Sequence, residues 1–521
     1  MTTTVTTKKL AFNAAEQFKE SFTEAALTIG YVFVGNHLAY ANESSPDSIV
    51  DTIVDEKDVW DNMMAAKRIT GNDVELVVPK ITWTANTKYR QYDDTIAVSD
   101  LLSSNTSQNL KPMYAFTSAR NVYKCLSNNA SANSTVEPTG DYTSSNGNIA
   151  TADGYVWKYM YNVKPSNKFL ADTWIPTPVS TAQLDYSVSD LGVVDGELTT
   201  IVVVDRGAGY YHNNVTVTSY ATGCTILTLA NTTNVVANMS VSGLGIGAQV
   251  YISSLDIPNN KITLSSAVTA NGGGTAANQL SIITRIYIDG DGIGAIATPV
   301  LSGSTTGNVS KVTITTIGTG YSRANAYVYG TGTGANTANV RCIVAPKYGH
   351  AYNPAKELGG SNVMVSSRIG EIDATENGKI SANTTFRQFG LIINPHKYGE
   401  DSVVTNANAN SFISQTTDLT VVSGASYALD EYVYQGVANN ASAYGHIIDQ
   451  STNTVKLTHV HGVFTTGLSL TGANSGTSRI VVRGSNPEFE PYTGDILYTE
   501  NALKTTRTEG QAENIKLIVR F

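Results

Sequence analysis

Two histidines in the C-terminal part of the chain have the spacing that comes nearest to a metal site. His459 and His461 flank Val460 in a segment of alternating character, so in a strand their rings lie on one face. A catalytic zinc site takes three protein ligands, and the sequence around this pair supplies no third. We therefore expect no metal here. The other histidines lie near no recognisable nucleophile pattern: His37, His212, His350, His396 and His446.

Glycine clusters raise the question of phosphate binding, but their context does not support it. The segments "GAGYYH" and "GTGYSR" lack the third glycine of a dinucleotide fingerprint and open no predicted helix. The segment "DGDG", at 289–292, lacks the later carboxylate ligands that an EF-hand calcium loop needs. Each cluster is therefore predicted to be a structural turn.

The remaining arrangements that could support catalysis are also incomplete. The chain contains no Gly-x-Ser-x-Gly elbow, no HExxH and no P-loop. Asp93 and Asp94 are adjacent carboxylates, and nothing in the sequence fixes the separation that glycoside hydrolysis needs. The sequence predicts a protein that is not an enzyme and has no cofactor.

Composition limits the class of partner. The 521 residues include 34 basic and 43 acidic ones, a formal net charge of −9, with no basic run. Because neutralising phosphates needs clustered Lys and Arg, direct nucleic-acid binding is disfavoured. No window approaches the roughly 20 apolar residues of a membrane span. Three cysteines without a CxxC pair predict free thiols in a reducing compartment, so we expect a soluble protein made in a cytoplasm.

The elements that must position any site are mostly strands. Only 15% of the residues are charged, and Gly, Thr, Ser, Asn and Val crowd the middle of the chain, which is typical of short strands and tight turns. Two segments have helical spacing: "NAAEQFKESFTEAAL", whose first residue is the predicted cap, and "DEKDVWDNMMAAKRI". The second puts Trp60, Met63 and Met64 on one side, a stripe predicted to be buried in the core or at a subunit contact.

Strands predominate from "VELVVPKITW" onward, a segment whose last residue, Trp83, is a further core or interface candidate. Between 198 and 346 an internal repeat is visible, because "LTTIVVVDRGAGYYHNNVTVTSYATG" and "VSKVTITTIGTGYSRANAYVYGTGTG" align without gaps. Each copy is predicted to form a strand, a turn in which glycines supply positive φ, and a second strand. The turn residues are Gly207, Gly209 and Tyr210 in the first copy and Gly318, Gly320 and Tyr321 in the second.

A second β insertion is predicted from 415 to 485, where hydrophobic alternation between turn residues is typical of a small barrel or roll. The predicted fold class is therefore mainly β with some α (α+β): a discontinuous mixed α/β core domain plus β-sandwich or β-roll insert domains. The predicted ranges are 1–190 for the N-terminal α+β part of the core, 191–346 for an inserted β domain with the repeat and a nested β-module, 347–414 for the return to the core, 415–485 for the small barrel or roll, and 486–521 for the C-terminal core strand.

The segment "DGYVWKYMYNV", at 153–163, places large rings at every second position. In a strand, Tyr155, Trp157, Tyr159 and Tyr161 share one face. Four such rings bury about 600 to 1,000 Å², an upper bound of roughly 15 to 25 kcal/mol of transfer free energy. The face must therefore be covered, either by the domain's own core or by another subunit. A carbohydrate platform would expose separated rings rather than a continuous row.

This strand and five further segments, in the same order, resemble the baseplate wedge subunit of T-even-like contractile-tailed phages, the dimeric wedge protein near the short-tail-fibre attachment. The resemblance covers most of 55–178, about 386–400 and the C-terminal end. The further segments are "DVWDNMMAAKRI", "VELVVPKITWTANTKYRQYDD", "NVYKCLSN", "FRQFGLIINPHKYGE", and "TGDILYTENA" with the terminal "ENIKLIVRF". Phe386 and Phe389, in the fourth of these, are core or interface candidates.

The resemblance implies a structural joint without catalysis, located in the virion at the tail baseplate after synthesis in the host cytoplasm. It also implies a homodimer within each wedge, with the other baseplate wedge proteins and the short-tail-fibre connecting protein as partners. The two β inserts lie outside the resemblance, so it implies no partner for them. Two alternatives stay open from the residues: a host-surface glycan-binding tail protein, and a tail glycan depolymerase.

Overall fold

The computed structural model describes residues 7–24, 28–144, 147–179, 183–184, 186–187, 190–275, 279–330, 336–369, 380, 382–422, 427–508, 510 and 512–521. The chain divides into two compact units. Unit 1 comprises Met1–Pro79, Ser166–Thr177 and Gly360–Phe521, and unit 2 comprises Lys80–Pro165 and Pro178–Gly359. Strands dominate both units and helices are short, which confirms the predicted mainly-β fold class.

The helices are α1 (Lys8–Ser21), α2 (Ile53–Asn62), α3 (Val98–Leu101) and α4 (Pro354–Glu357), with 3-10 turns at Gly71–Asp73 and Thr106–Gln108. The first strands are β1 (Gly30–Gly35), β2 (Met63–Ile69), β3 (Val74–Pro79), β4 (Lys88–Tyr89), β5 (Leu110–Lys111), β6 (Tyr114–Phe116), β7 (Asn121–Ser127), β8 (Asn148–Ala150), β9 (Val156–Asn162), β10 (Trp174–Pro176), β11 (Leu198–Asp205), β12 (Tyr210–Val215), β13 (Ile226–Thr228), β14 (Ser240–Ser242), β15 (Ile252–Asp256), β16 (Lys261–Leu264) and β17 (Leu280–Ile283). The later strands are β18 (Arg285–Gly290), β19 (Ile293–Leu301), β20 (Thr306–Gly307), β21 (Val309–Thr319), β22 (Ala324–Tyr329), β23 (Asn339–Val344), β24 (Asn362–Ile369), β25 (Thr385–Ile393), β26 (Phe412–Ser414), β27 (Thr417–Val421), β28 (Tyr432–Val437), β29 (Asn440–Gln450), β30 (Thr454–Gly462), β31 (Ser469–Gly472), β32 (Ser478–Ser485), β33 (Asp495–Thr506) and β34 (Glu513–Arg520).

Unit 1 is built on two antiparallel sheets. The larger has the order β26-β2-β1-β25-β33, and its middle strand β1 is buried along its whole length. The smaller has the order β10-β3-β24-β34, and α1 packs against β3 and β24. Tyr31 and Phe33 of β1 share one hydrophobic core with Trp60 of α2 and Met63 of β2. These strands therefore bring together segments that are far apart in the sequence.

The C-terminal part of unit 1 contains a closed barrel with the strand order β27-β30-β29-β28-β31-β32. Its interior is filled by alternate residues of the strands, among them Leu419, Val433, Ile447 and Leu457. The barrel lies within the range 415–485 predicted for a small barrel or roll. Alternation along short strands was therefore a sufficient signal for this element.

Unit 2 consists of several small antiparallel sheets. One has the order β6-β7-β9-β8 and contains the aromatic strand β9. The others are β11-β23-β22-β18, β14-β17-β12-β20, β13-β16-β15 and the β19-β21 ribbon, with β4 and β5 as a short parallel pair. Two hydrophobic cores fill the inserted region, one around Ile262 and Ile282 and one around Val309 and Val340.

The predicted ranges and the two units divide the chain differently. Residues 80–165, predicted to belong with the rest of 1–190, group with the inserted β domain in unit 2. Residues 360–414 and 486–521 group with 1–79 in unit 1. The physical reason is a buried ionic cluster, described below, that joins strands β7 and β9 to residues 197 and 350–357.

The helix predicted over "DEKDVWDNMMAAKRI" is wrong in its second half. The α2 helix begins after Thr52, whose side chain accepts a hydrogen bond from the Asp55 amide, and it ends at Asn62. From Met63 the backbone is extended as β2, which pairs with β1 on one side and β26 on the other. A strand buried on both faces is a continuous apolar run, and periodicity does not separate such a run from a buried helix.

The first helix also differs at its start. It begins at Lys8 with Thr7 at the cap position, so Asn13, the predicted cap, lies inside the helix. Its buried residues are Phe12 and Ala15. The predicted capping residues are therefore ordinary helix positions, because the apolar face begins earlier than the phenylalanine spacing indicated.

The middle of strand β9 is covered on both faces. The rings of Tyr155, Trp157, Tyr159 and Tyr161 are at most 2% exposed, within unit 2 itself. Tyr155 and Trp157 stack with ring centroids 5.5 Å apart. On the opposite face Lys158 and Met160 are buried, whereas Val156 is partly exposed and Asn162 is exposed. The aromatic row is therefore part of the interior of unit 2.

We expect Trp157→Ala to destabilise unit 2 by about 3 to 5 kcal/mol, because it leaves a cavity in a closed core. Trp83→Ala is the matched control, since the Trp83 ring is only partly buried and donates one hydrogen bond, to Ser134 Oγ at 3.2 Å. Hydrogen exchange of the β7 and β9 peptides, read by mass spectrometry, measures both. Equal losses in the two variants would contradict the core role of Trp157.

Candidate functional site

The face of β9 opposite the aromatic rings carries a cluster of buried ionisable groups. This ionic cluster comprises Lys124 of β7, Lys158 of β9, Glu197 just before β11, His350, and Glu357 of α4. The first four are 0% exposed and the side chain of Glu357 is 6% exposed. Long charged side chains are almost never this deeply buried unless they are paired. The cluster therefore concentrates several ionisable groups in a part of the protein that is shielded from water.

An ion pair lies at the centre of the cluster. Lys124 Nζ donates to Glu357 Oε2 at 2.7 Å and lies 3.0 Å from His350 Nδ1. The same ammonium group lies 4.0 Å from the ring centroid of Tyr92, and the rings of Tyr92 and His350 meet edge to face. A carboxylate oxygen, an imidazole nitrogen and one aromatic face thus surround a single amine.

A second lysine enters the cluster across the strand pair. Lys158 lies directly opposite Lys124 in the register of β7 and β9. Two like charges in these positions repel each other. Lys158 Nζ donates to the Leu191 carbonyl oxygen at 3.2 Å, and the nearby Glu197 accepts from the His350 amide at 3.4 Å. The carboxylates of Glu197 and Glu357 therefore oppose the loss of charge on the two lysines.

Burial shifts the pKa of every member of the cluster. It lowers the pKa of Lys124 and Lys158, and it lowers the pKa of His350 to about 3 with help from the charge on Lys124. It raises the pKa of Glu197 to about 6 although Lys158 opposes the shift. Burial also acts to raise the pKa of Glu357, but Lys124 and His350 outweigh it and the pKa is lowered. Lys124 and Glu357 thus each favour the charged form of the other, and His350 is neutral near pH 7.

The residue types of the cluster, an amine beside an imidazole and two carboxylates, are those of acid–base or imine chemistry. All five side chains are buried in this conformation. The cluster joins β7 and β9 to residue 197 and to α4, which explains why residues 80–165 belong to unit 2.

The structure divides the predicted core or interface residues between the two units. Trp60 and Met63 belong to one hydrophobic core in unit 1. Met64, the next residue in the sequence, is also buried. Phe386 and Phe389 form an edge-to-face pair with centroids 5.6 Å apart, and Phe386 is the more buried. Unit 2 holds Trp83, Tyr155, Trp157, Tyr159 and Tyr161.

The two Gly-x-Gly-Tyr turns adopt corresponding corners. Gly207, Gly209, Gly318 and Gly320 all have positive φ, between +56° and +77°. Each corner connects strands that pair with other strands and not with each other: β11 pairs with β23, β12 with β17 and β20, β21 with β19, and β22 with β18 and β23. The repeat is therefore a chain reversal between sheets rather than a hairpin.

The tyrosine of each corner bonds to the backbone that approaches the first glycine. The Ala338 amide donates to Tyr210 Oη at 2.6 Å, and the Ala295 amide donates to Tyr321 Oη at 3.4 Å. A Cβ on Gly207 or Gly318 would lie 2.5 Å from the Ala338 nitrogen or 2.7 Å from the Ala295 nitrogen, respectively. Only glycine allows this approach, so the motif is a packing device in both copies.

The two histidines singled out in the sequence point to different neighbours. His459 has a positive φ of 51° beside register shifts in the β29–β30 pair. Its ring lies near His37 and His446, whereas the ring of His461 stacks near Tyr444 at 4.8 Å. The strand alternation that predicted a shared face is interrupted by the bulge.

Sequence reasoning missed the ionic cluster, although one signal was present. Lys158 stands in the middle of a strand whose neighbours on its own face, Val156 and Met160, are apolar. A lysine at such a position needs a buried anion. Its partners lie far away along the chain, so they could not be chosen among the acidic residues from the sequence alone.

Comparison with known proteins finds no family model that matches the chain and no match among curated proteins. Within the described residues, the structure contains no helix long and apolar enough to cross a membrane.

We expect Lys124→Met to destabilise β7 and β9 by about 3 to 5 kcal/mol, because the Glu357 carboxylate is then buried without its partner. The double variant Lys124→Met, Glu357→Met should recover most of this loss, since two apolar side chains need no partner. Hydrogen exchange of the β7 and β9 peptides measures the stability of the two single variants, Lys124→Met and Glu357→Met, and of the double variant. A double variant as unstable as the sum of the two single variants would show that the charges do not act as a pair.

Proposed function

We propose that the chain is a structural, non-catalytic subunit of a contractile phage tail baseplate wedge. In this proposal it joins the other wedge proteins and helps to connect the short-tail-fibre region, as a homodimer within each wedge and as part of the virion. The proposal is supported by one observation. The segments that resemble the wedge subunit form strands that pair with one another, or lie close together, in the same sheets.

In unit 1 the resembling segments are neighbours in the sheets although they are distant in sequence. Strand β25, in "FRQFGLIINPHKYGE", pairs directly with β33, in "TGDILYTENA". Strand β2, in "DVWDNMMAAKRI", is separated from β25 only by β1. Strands β3 and β34 likewise lie on the two sides of β24. A chance set of unrelated matches would not be expected to assemble into adjacent strands.

In unit 2 the same relation holds for the two resembling strands. Strand β7, in "NVYKCLSN", pairs with β9 at six positions, and both strands contribute a lysine to the ionic cluster. The ionisable groups that could act in acid–base chemistry are buried, and this supports a structural role. Buried residues that hold distant segments together are expected in a structural subunit. An active site must instead be accessible to its substrate.

The proposal predicts association with wedge partners. Co-expression of the full chain with other baseplate wedge proteins of a contractile-tailed phage should give a complex that elutes together in size-exclusion chromatography. Alone, the 55.4 kDa chain should scatter light as a dimer. A monomer that co-elutes with none of the wedge proteins would contradict the proposal.

A second candidate, binding of a host-surface glycan, is favoured by one exposed aromatic group in unit 2. The rings of Tyr287 and Tyr327 lie across the β18–β22 pair, 39% and 45% exposed, and stack at 6.3 Å. The guanidinium of Arg285 lies 3.9 Å from the ring centroid of Tyr251 beside them. Binding of the pure chain to host lipopolysaccharide, lost in Tyr327→Ala, together with failure to join wedge proteins, would favour this candidate over the first.

A further inference from the structure

Three imidazole rings from separate parts of unit 1 converge at the outside of the barrel. His37 follows β1, His446 lies on β29 and His459 lies on β30. The ring centroids are 6.3 Å apart for His37 and His446, 6.2 Å for His37 and His459, and 5.8 Å for His446 and His459. The three rings therefore form a nearly equilateral triangle, although His37 is about 400 residues from the other two in sequence.

Two nitrogens of this triangle are buried and have no hydrogen-bond partner: His37 Nε2 and His459 Nδ1. The His37 residue is only 3% exposed. On its other side, His37 Nδ1 lies 3.1 Å from Thr458 Oγ1. If Nδ1–H donates to this hydroxyl, the lone pair of Nε2 is directed away from Thr458 and is free to bind a ligand.

A carboxylate lies near the His37 ring of this triangle. Asp430 Oδ1 lies 3.8 Å from His37 Nε2, and the Asp430 carbonyl oxygen lies 3.4 Å from His446 Nδ1. The nearest cation, Arg387, is already engaged: its guanidinium donates to the Glu43 carboxylate at 2.8 to 3.1 Å and to the His37 carbonyl oxygen. The positive charge of Arg387 is thus balanced outside the triangle.

The burial of two of these rings leaves ring nitrogens unsatisfied. His37 Nε2 and His459 Nδ1 are shielded from water and have no hydrogen-bond partner, and a buried polar atom without one is unfavourable. A ligand that accepts their lone pairs would satisfy both nitrogens.

The spacing is slightly wider than a bound metal requires. With Zn–N bonds of about 2.0 to 2.1 Å, three tetrahedrally placed rings have centroids roughly 5 Å apart. As they stand, no three His, Cys, Asp or Glu side chains in the described parts of the chain are close enough to hold a metal ion. An inward movement of each ring by less than about 1 Å closes this difference in centroid spacing.

We propose that His37, His446 and His459, with Asp430 as a fourth ligand, bind a divalent transition-metal ion. Zinc fits best, because imidazole and carboxylate donors in a tetrahedral set suit it and no redox step is needed. The metal would tie β1, at the centre of the larger sheet, to strands β29 and β30 of the barrel. This site is independent of the proposed wedge function, and it gives the third ligand that the sequence around His459 lacks.

Zinc binding is tested with the full chain carrying no polyhistidine tag, dialysed first against a chelator and then titrated with ZnCl₂ in a calorimeter. We expect one zinc per chain. His446→Ala, at a partly exposed position, should weaken binding at least about tenfold, whereas the matched controls His461→Ala and His396→Ala should leave it unchanged. Circular dichroism verifies that each variant is folded.

Cobalt substitution gives a second measurement. A Co²⁺-loaded chain should show the strong visible bands of a tetrahedral site, and these bands should be absent in His446→Ala and present in His461→Ala. Zinc bound equally by wild type and His446→Ala, or a loss of the cobalt bands in His461→Ala alone, would overturn the proposed ligand set. Absence of both zinc binding and cobalt bands in the wild type would overturn the site itself.

Discussion

The ion pair between Lys124 and Glu357 is the interaction on which unit 2 depends most. Two charges inside a core are tolerated only when each meets the other, since the cost of removing them from water is several kcal/mol per ion. Lys158, opposite Lys124 on the next strand, adds a second buried amine, and the carboxylates of Glu197 and Glu357 act to keep it charged. The sheet of β7 and β9 is therefore stable only when the segments that supply the acids are in place.

The opposite face of the same strand constrains how the chain meets other proteins. The rings of Tyr155, Trp157, Tyr159 and Tyr161 are buried inside unit 2 and are not available for a subunit contact. The contacts of the proposed wedge assembly must therefore use other surfaces. The barrel and the repeat-containing sheets, which lie outside the resemblance, provide additional surface of this kind. Rigid corners such as Gly207 with Tyr210 suit them to that role.

The sequence predicted what depends on local pattern and missed what depends on distant pairing. Alternation and turn residues predicted the barrel, the repeat strands and the faces of β9. Periodicity failed at Met63, where a largely buried strand follows the helix directly and Trp60, Met63 and Met64 keep a spacing that also fits a helix. The ionic cluster and the histidine triangle could not be predicted from the sequence, because only the tertiary fold brings their members together. Lys124 and Glu357 are an example in the cluster, and His37 and His446 are an example in the triangle.

The proposed wedge function is tested most directly by a cryo-EM map of the intact contractile tail to which the chain is assigned. The account predicts that both compact units fit density in the baseplate wedge, beside the short-tail-fibre attachment, in paired copies, with the aromatic strand enclosed within unit 2 rather than at a subunit boundary. Density for the chain only at a fibre tip or outside the baseplate, or its absence from the particle, would contradict the account.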